Sequence, residues 1–205
     1  MARGDHRQAM VRTTKALLQE QGYPGTGLNE IIRRSGAPKG SMYHYFPGGK
    51  EALGAAALEL AGEEIRAQLV ALGDLPPAEA IVRSAEILGR ELAASGFGAG
   101  SPVATVALEM SSASDVLREA CAKVYDVWHQ LLQENLMRAG VPETTARAAA
   151  MVTLSTIEGA LLLSRVQRSL EPLQRATEVL ALLASQLGPH TPEPPPFDHA
   201  WLRAD

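Results

Sequence analysis

Seven consecutive residues, Lys39-Gly40-Ser41-Met42-Tyr43-His44-Tyr45, gather an ammonium, a hydroxyl, two phenols and an imidazole into one short stretch. Read as a helix, the stretch puts Lys39 at the N-terminus, where backbone N–H groups and the partial positive dipole already favour phosphate. Gly40 leaves room for a nucleic-acid backbone to come close. Ser41, Tyr43 and His44 offer hydrogen-bond donors and acceptors on a surface too polar for burial. Seven helical residues span only about 10 Å, which suits insertion of one end into a major groove.

Other reactive groups do not assemble in this way. The five histidines (His6, His44, His129, His190, His199) are scattered, and none pairs at i, i+4 with another ligand. Cys121 is the one cysteine. It excludes an internal disulfide and a multi-cysteine metal site, has no sequence-local base, and fits the reducing cytoplasm. Gly96-x-Gly98-x-Gly100 follows a predicted helix rather than a strand and lacks the lysine of a phosphate loop, so it reads as a loop breaker. The sequence thus predicts no catalytic site, no metal and no cofactor. No run approaches the roughly 20 apolar residues that span a bilayer, and no membrane partner is expected.

The elements that must position residues 39–45 are short. A helix over about Gly4 to Gln21 stops at Gly22, and Tyr23-Pro24-Gly25-Thr26-Gly27 is turn chemistry. A second helix covers Leu28 to Ser35 and breaks at Gly36-Ala37-Pro38. A third runs from Lys39 to Tyr45 and ends at Pro47-Gly48-Gly49. Gly36 sits where a helix stops in a left-handed conformation. Pro38 holds Ala37 out of the helical region and prepares the next helix. Leu28, Ile31 and Ile32, with Met42 and Phe46 beyond the break, share a small core. Two helices joined by a short turn containing Gly form the helix-turn-helix pattern. Small helix pairs are commonly structural, but a purely structural module leaves the polar face of residues 39–45 unexplained.

Charge separates the same segment from the rest. The whole chain carries −4, yet residues 1–50 hold eight Lys/Arg against three acids, a net of +5, and residues 51–205 a net of −9. A basic end joined to an acidic body suggests that one end meets polyanions. Apolar residues make up 46% of the chain, aromatics only 4%, and Ala and Leu dominate, which favours an all-α soluble protein.

The run Thr26-x4-Ile31-x4-Gly36-x2-Lys39-Gly40-Ser41-x-Tyr43-x-Tyr45-Phe46-x3-Lys50-Glu51-x-Leu53 resembles the DNA-binding signature of TetR/AcrR-type repressors. The longer loop Phe46-Pro47-Gly48-Gly49-Lys50 is similar to that of the LmrA/YxaF-like branch. The resemblance implies that Lys39, Gly40, Ser41, Tyr43 and His44 face the groove. It further implies that Thr26 caps the helix from Leu28 to Ser35 and touches phosphate, and that Lys50, opening the fourth helix, contacts phosphate. Pro38 replaces the commoner Ser, which removes a side-chain cap, and Ile32 stands where a small Ala is usual. Arg33 and Arg34 read equally well as phosphate contacts or as solvated surface groups.

Beyond Lys50 the predicted helices lengthen: to Leu72, then about Ala78 to Ala94, Pro102 to Met110, Ser114 to Ala139, Glu143 to Arg168 and Leu173 to Leu187. No period-2 strand appears. The expected architecture is about nine helices. A helix-turn-helix domain spans 1–49, a ligand-binding and dimerisation domain 50–188, and a proline-rich, disordered or extended tail 189–205, where Phe197 and Trp201 could dock. The resemblance implies a small-molecule pocket enclosed by the helices from Ala78 to Ala139, whose occupation spreads two DNA-binding heads. Candidate lining residues are Phe97, Val106, Met110, Cys121, Tyr125 and Trp128, with Glu109 and His129 as polar groups. Plain core is the competing reading for each of the six, and a solvated acid and a satisfied surface imidazole are the competing readings for the two polar groups.

Leu154, Ile157, Leu161 and Leu162, with Leu180, Leu183 and Leu187, form apolar rows that suit a four-helix bundle across a two-fold axis, Val179 beside them. The alternative is that these rows complete the monomer core. The combined expectation is a cytoplasmic, dimeric regulator of transcription, most simply a repressor. It would bind a palindromic operator in double-stranded DNA and be released by a small apolar or aromatic effector. Activation is the variant that the sequence leaves open.

Overall fold

The computed structural model describes residues 3–194, and all regular structure among them is helical. The order is α1 (Arg3–Gly25), α2 (Leu28–Ser35), α3 (Lys39–Tyr45), α4 (Gly49–Ala71), α5 (Pro77–Ala94), α6 (Pro102–Met110), α7 (Asp115–Arg138), α8 (Glu143–Gln167) and α9 (Glu171–Gln186). The all-α reading of the sequence holds, with element ends close to those expected.

The ends have identifiable causes. Gly36 caps α2 at φ 66°, and Pro38, at φ −61° and ψ 138°, precedes α3 as an extended residue with no side-chain cap. Proline opens α5 and α6 in the first turn, where a missing N–H is harmless. The Ser101 and Ser114 hydroxyls accept the N–H groups of Ala104 and Leu117, capping α6 and α7. Inside α1 the non-helical Gly22 (φ 71°, ψ −177°) breaks the helix where the sequence predicts its stop.

One core runs through both halves of the chain. Met10, Leu17 and Leu18 of α1 pack with Leu53, Ala57 and Leu58 of α4, Val103 and Val106 of α6, and Leu117, Cys121 and Trp128 of α7. Ile31, Met42 and Phe46 belong to the same cluster, so the short helices α2 and α3 hang from the long ones. Smaller clusters join α5 to α8 and α9 through Ile81, Ala85, Ala160, Leu173 and Leu180. The axes of α4 and α7 approach closely because α4 presents Gly54, Ala57, Ala61 and Gly62. A Cβ on Gly62 would stand 2.7 Å from Val124 Cγ2.

Two expectations need correction. The chain just after α9 is folded back rather than loose. The Thr145 hydroxyl donates to the Pro192 carbonyl at 3.1 Å, and Pro189 packs beside Gly140 at the α7–α8 turn. Phe197 and Trp201 lie outside the described residues. Helix α8 does have the length and mean hydropathy, 1.3, of a membrane-crossing helix. Its apolar residues fall on two faces, one packed on α5, α7 and α9 and one exposed.

The α4–α7 contact yields a stability prediction. Gly62→Ala overpacks that contact and should lower the unfolding free energy by about 1–3 kcal/mol, read from the urea midpoint. An unchanged midpoint would show that the helices do not meet at Gly62.

Candidate nucleic-acid interface and effector cavity

Helix α3 is amphipathic about a single buried residue. Met42 is fully buried in the core, whereas Tyr43 is 61% exposed. Lys39, Gly40 and His44 are also exposed, and Ser41 is half-buried at the edge of the helix. A Cβ on Gly40 would meet nothing within 4 Å, so the glycine is not required by packing inside the chain. Its small size is available to whatever approaches from outside. The rings of His44 and Tyr45 meet edge to face at 5.1 Å, which limits where the imidazole can turn. Five of the residues singled out in the sequence, Lys39, Gly40, Ser41, Tyr43 and His44, thus share one accessible face.

Thr26 and Lys50 are placed differently. Gly27, not Thr26, is the N-cap of α2, and the Thr26 hydroxyl is buried, donating to the Gly22 carbonyl at 2.6 Å. The Gly22 break turns that carbonyl toward Thr26, so the hydroxyl is committed inward. Lys50 Nζ donates to the Tyr23 carbonyl at 2.7 Å and lies 4.1 Å from the centre of the Tyr23 ring. Burial lowers its pKa, with Glu109 opposing the shift. Both residues hold the α1–α2 turn in place rather than offering a free group to solvent. Arg34 is similarly engaged, bonded to Glu20 and Glu30 at 2.9 Å each, while Arg33 stays largely exposed.

The same turn is gripped from the body. Glu109, on α6, accepts the Tyr23 N–H at 2.7 Å, and a Cβ on Gly22 would overlap its carboxylate. Glycine is therefore required at residue 22 twice over, by its positive φ and by the closeness of Glu109. Tyr23 consequently joins α1 to α4 through Lys50 and to α6 through Glu109.

A cavity of about 170 Å³ lies between α4, α5, α7 and α8, with the loop before α6 across one end. Its wall is mainly Ile65, Leu69, Leu88, Leu92, Leu154 and Leu161. Of the expected lining residues, Trp128 borders it and donates its indole N–H to the Gly62 carbonyl at 3.1 Å. The other five do not. Val106 and Cys121 are consumed by the core between α1, α6 and α7, where the thiol donates to the Val103 carbonyl at 3.7 Å. Burial pushes the Cys121 pKa up to about 11. Met110 packs on the same core, and Tyr125 meets Trp128 edge-on at 5.6 Å. Phe97 sits in the outer loop at φ 63°. Nor does His129 reach the cavity, since its Nε2 pairs with the Arg147 carbonyl at 2.9 Å. The enclosing elements are thus α4, α5, α7 and α8, with Lys15 and Gln19 of α1 also on the wall, rather than α5 to α7.

Sequence reasoning missed Glu158 and Ser101, which supply the polar end of the cavity. The signal was present: Glu158 falls at helical spacing between Leu154 and Leu161, an acid inside an apolar stripe.

That stripe also corrects the expected dimer rows. Leu154, Ile157 and Leu161 face the cavity, Leu180 is buried against α5, and Leu187 packs on the cluster around Leu136 and Ala150. Leu162 and Leu183 alone are exposed as expected, each at 52%. The outward face comprises Val152, Leu162, Leu163 and Val166 of α8 with Val179, Leu182 and Leu183 of α9, and Gly159 lies open among them. The monomer core uses one apolar side of these helices and leaves the other uncovered.

Residues 11–63 match the family model for bacterial regulatory proteins of the tetR family, and residues 77–179 match that for the C-terminal domain of LmrA/YxaF-like transcriptional regulators. The chain is 39% identical to the HTH-type transcriptional regulator LmrA of Bacillus subtilis, over 84% of its own length and 93% of that protein. It is 34% identical to YxaF of the same organism, over 91% and 99%. Its fold superimposes on the crystal structure of a TetR regulatory protein from Rhodobacter sphaeroides with a TM-score of 0.77 and 26% identity, covering 85% and 96% of the two chains.

The burial of α3 is checked by a pair of substitutions. Met42→Ala should cost about 2–5 kcal/mol of stability, because it empties a filled core position. Tyr43→Ala should change stability by no more than about 0.5 kcal/mol, because the side chain is largely in solvent. Equal effects in thermal unfolding would mean that α3 is rotated from this orientation.

Proposed function

The chain belongs to the TetR family of bacterial transcriptional regulators, with the LmrA/YxaF-like C-terminal domain, and from that premise we propose that it is a ligand-responsive repressor. Its relatives are regulators of transcription, not enzymes. Residues 1–49 form the DNA-reading domain and residues 50–188 the effector and dimer domain. In the cytoplasm, two copies bind a palindromic operator, and a small apolar or aromatic effector in the cavity releases them.

The observation that carries this reading is the outward face of α3. Lys39 meets phosphate, Gly40 admits the DNA backbone, and Ser41, Tyr43 and His44 reach base edges or phosphate oxygens. Met42 fixes the rotation of the helix so that these groups point one way. The uncovered face of α8 and α9 supports pairing of two copies into a four-helix bundle. Two α3 helices held in this manner read half-sites about 34–36 Å apart, one turn of duplex.

A duplex selected from a random library by the wild-type protein provides the test. Lys39→Ala and Tyr43→Ala should each weaken binding about tenfold or more, while the dimer stays folded. Affinity for the selected site should fall steeply with salt, because phosphate contacts release counterions. Full operator affinity in both variants would remove α3 from the interface.

Dimerisation is tested separately. The double substitution Leu162→Glu with Leu183→Glu places charges on the outward face and should give a folded monomer by sedimentation, with operator binding greatly reduced. A dimer that survives both charges would assign the interface elsewhere.

A further inference from the structure

Glu158 projects from the apolar stripe of α8 into the cavity with its two carboxyl oxygens in unequal circumstances. Ser101 donates to Oε1 at 3.1 Å. Oε2 is shut off from solvent and has no hydrogen-bond partner. Burial raises the carboxyl pKa, and the Ser101 and Tyr125 hydroxyls beside it only oppose that rise. Leaving a buried carboxyl oxygen unpaired costs free energy that a leucine in the same place would avoid. The apolar neighbours Leu154, Ile157 and Leu161 show that this part of α8 readily accommodates such a residue.

The other charged groups on the cavity wall restrict what can enter. They are Glu64, Glu91 and Lys15, and Lys15 is paired with Glu64. Arg165, two turns beyond Glu158 on α8, lies against Gly100 and forms no ion pair with Glu158 among the described contacts. A ligand carboxylate would therefore meet acids at a buried site with no unengaged cation on the lining. A ligand donor that displaces what covers Oε2 would meet an acceptor with no hydrogen-bond partner.

We infer that Glu158 is the polar anchor of this cavity, and that the effector is an apolar molecule of one or two rings whose hydrogen-bond donor reaches Oε2. The inference rests on the effector reading above for its biological meaning. A neutral hydroxyl and a protonated amine are two sources of the same donor chemistry. The hydroxyl can pair with either form of the carboxyl, whereas the amine favours the carboxylate by bringing its counter-charge. Anions of the same shape are excluded.

Four matched biphenyls separate these cases by titration calorimetry on the full chain: 4-hydroxybiphenyl, 4-(aminomethyl)biphenyl, 4-methoxybiphenyl and biphenyl-4-carboxylate. At least one of the two donors should bind about tenfold or more tighter than the ether and the carboxylate. The stronger of the two identifies the source of the donor. In Glu158→Leu that preference should vanish while the ether binds at least as well as to wild type. Glu158→Gln, which keeps the shape and one acceptor, should retain the hydroxyl compound better than the amine. Circular dichroism of both variants verifies folding.

Equal binding of ether and donors to the wild type would overturn the inference, as would a donor preference that persists in Glu158→Leu, or no binding by any of the four. Operator binding measured on the same samples separates the two readings. Absence of donor selectivity in the wild type with intact operator binding overturns the anchor alone. Donor-selective binding that leaves the operator complex undisturbed supports the anchor and overturns its role in release.

Discussion

The insertion of Met42 into the core is the constraint on which the outward chemistry depends. Helix α3 has only two turns and no side-chain cap, so propensity alone would not hold it. Gly36 and Pro38 fix where it begins, and burial of one thioether side chain fixes its rotation. A change of about one residue in that phase would turn the imidazole and the phenol of α3 into the protein. The polar face is exposed because the residue between its members is not.

The core that holds Met42 is the core of the body as well. It passes from α3 through α1 to α4, α6 and α7 without a boundary of weak packing. On top of this continuity lies a polar joint at Tyr23, gripped by Lys50 of α4 and by Glu109 of α6. A shift in α6 is therefore communicated to the end of α1 by a hydrogen bond as well as by packed side chains. For a ligand to move such a joint, it must bind one arrangement of the body better than another. The cavity meets α4 along Ala61, Ile65 and Leu69, on the helix that carries Lys50 at its other end.

Much of this was legible in the sequence, and the rest failed for definite reasons. Helix limits followed from Gly22, Gly36, Pro38, Pro102 and Ser114, whose effects are local. The exposed side of α3 was legible because its polar residues have no other use. Cavity-facing and outward-facing residues were not, because α7, α8 and α9 each carry apolar residues around much of their circumference. Leu161 faces the cavity and Leu162 faces solvent, and nothing in their chemistry distinguishes them. Only packing against α5 and α7 decides that. The inward hydrogen bonds of Thr26 and Lys50 were not legible, because their partners, the Gly22 and Tyr23 carbonyls, lie at a backbone break whose direction has no sequence signature.

The most direct measurement is a photocrosslink from α3 to DNA. A benzophenone side chain installed at residue 43, irradiated with a selected duplex, should attach to bases in the major groove at two symmetric sites about one helical turn apart. The same group at exposed Leu108, on α6, should attach to none. Crosslinks from residue 108 and none from residue 43 would contradict the account, since the face left outward by Met42 would then not be the one that meets DNA.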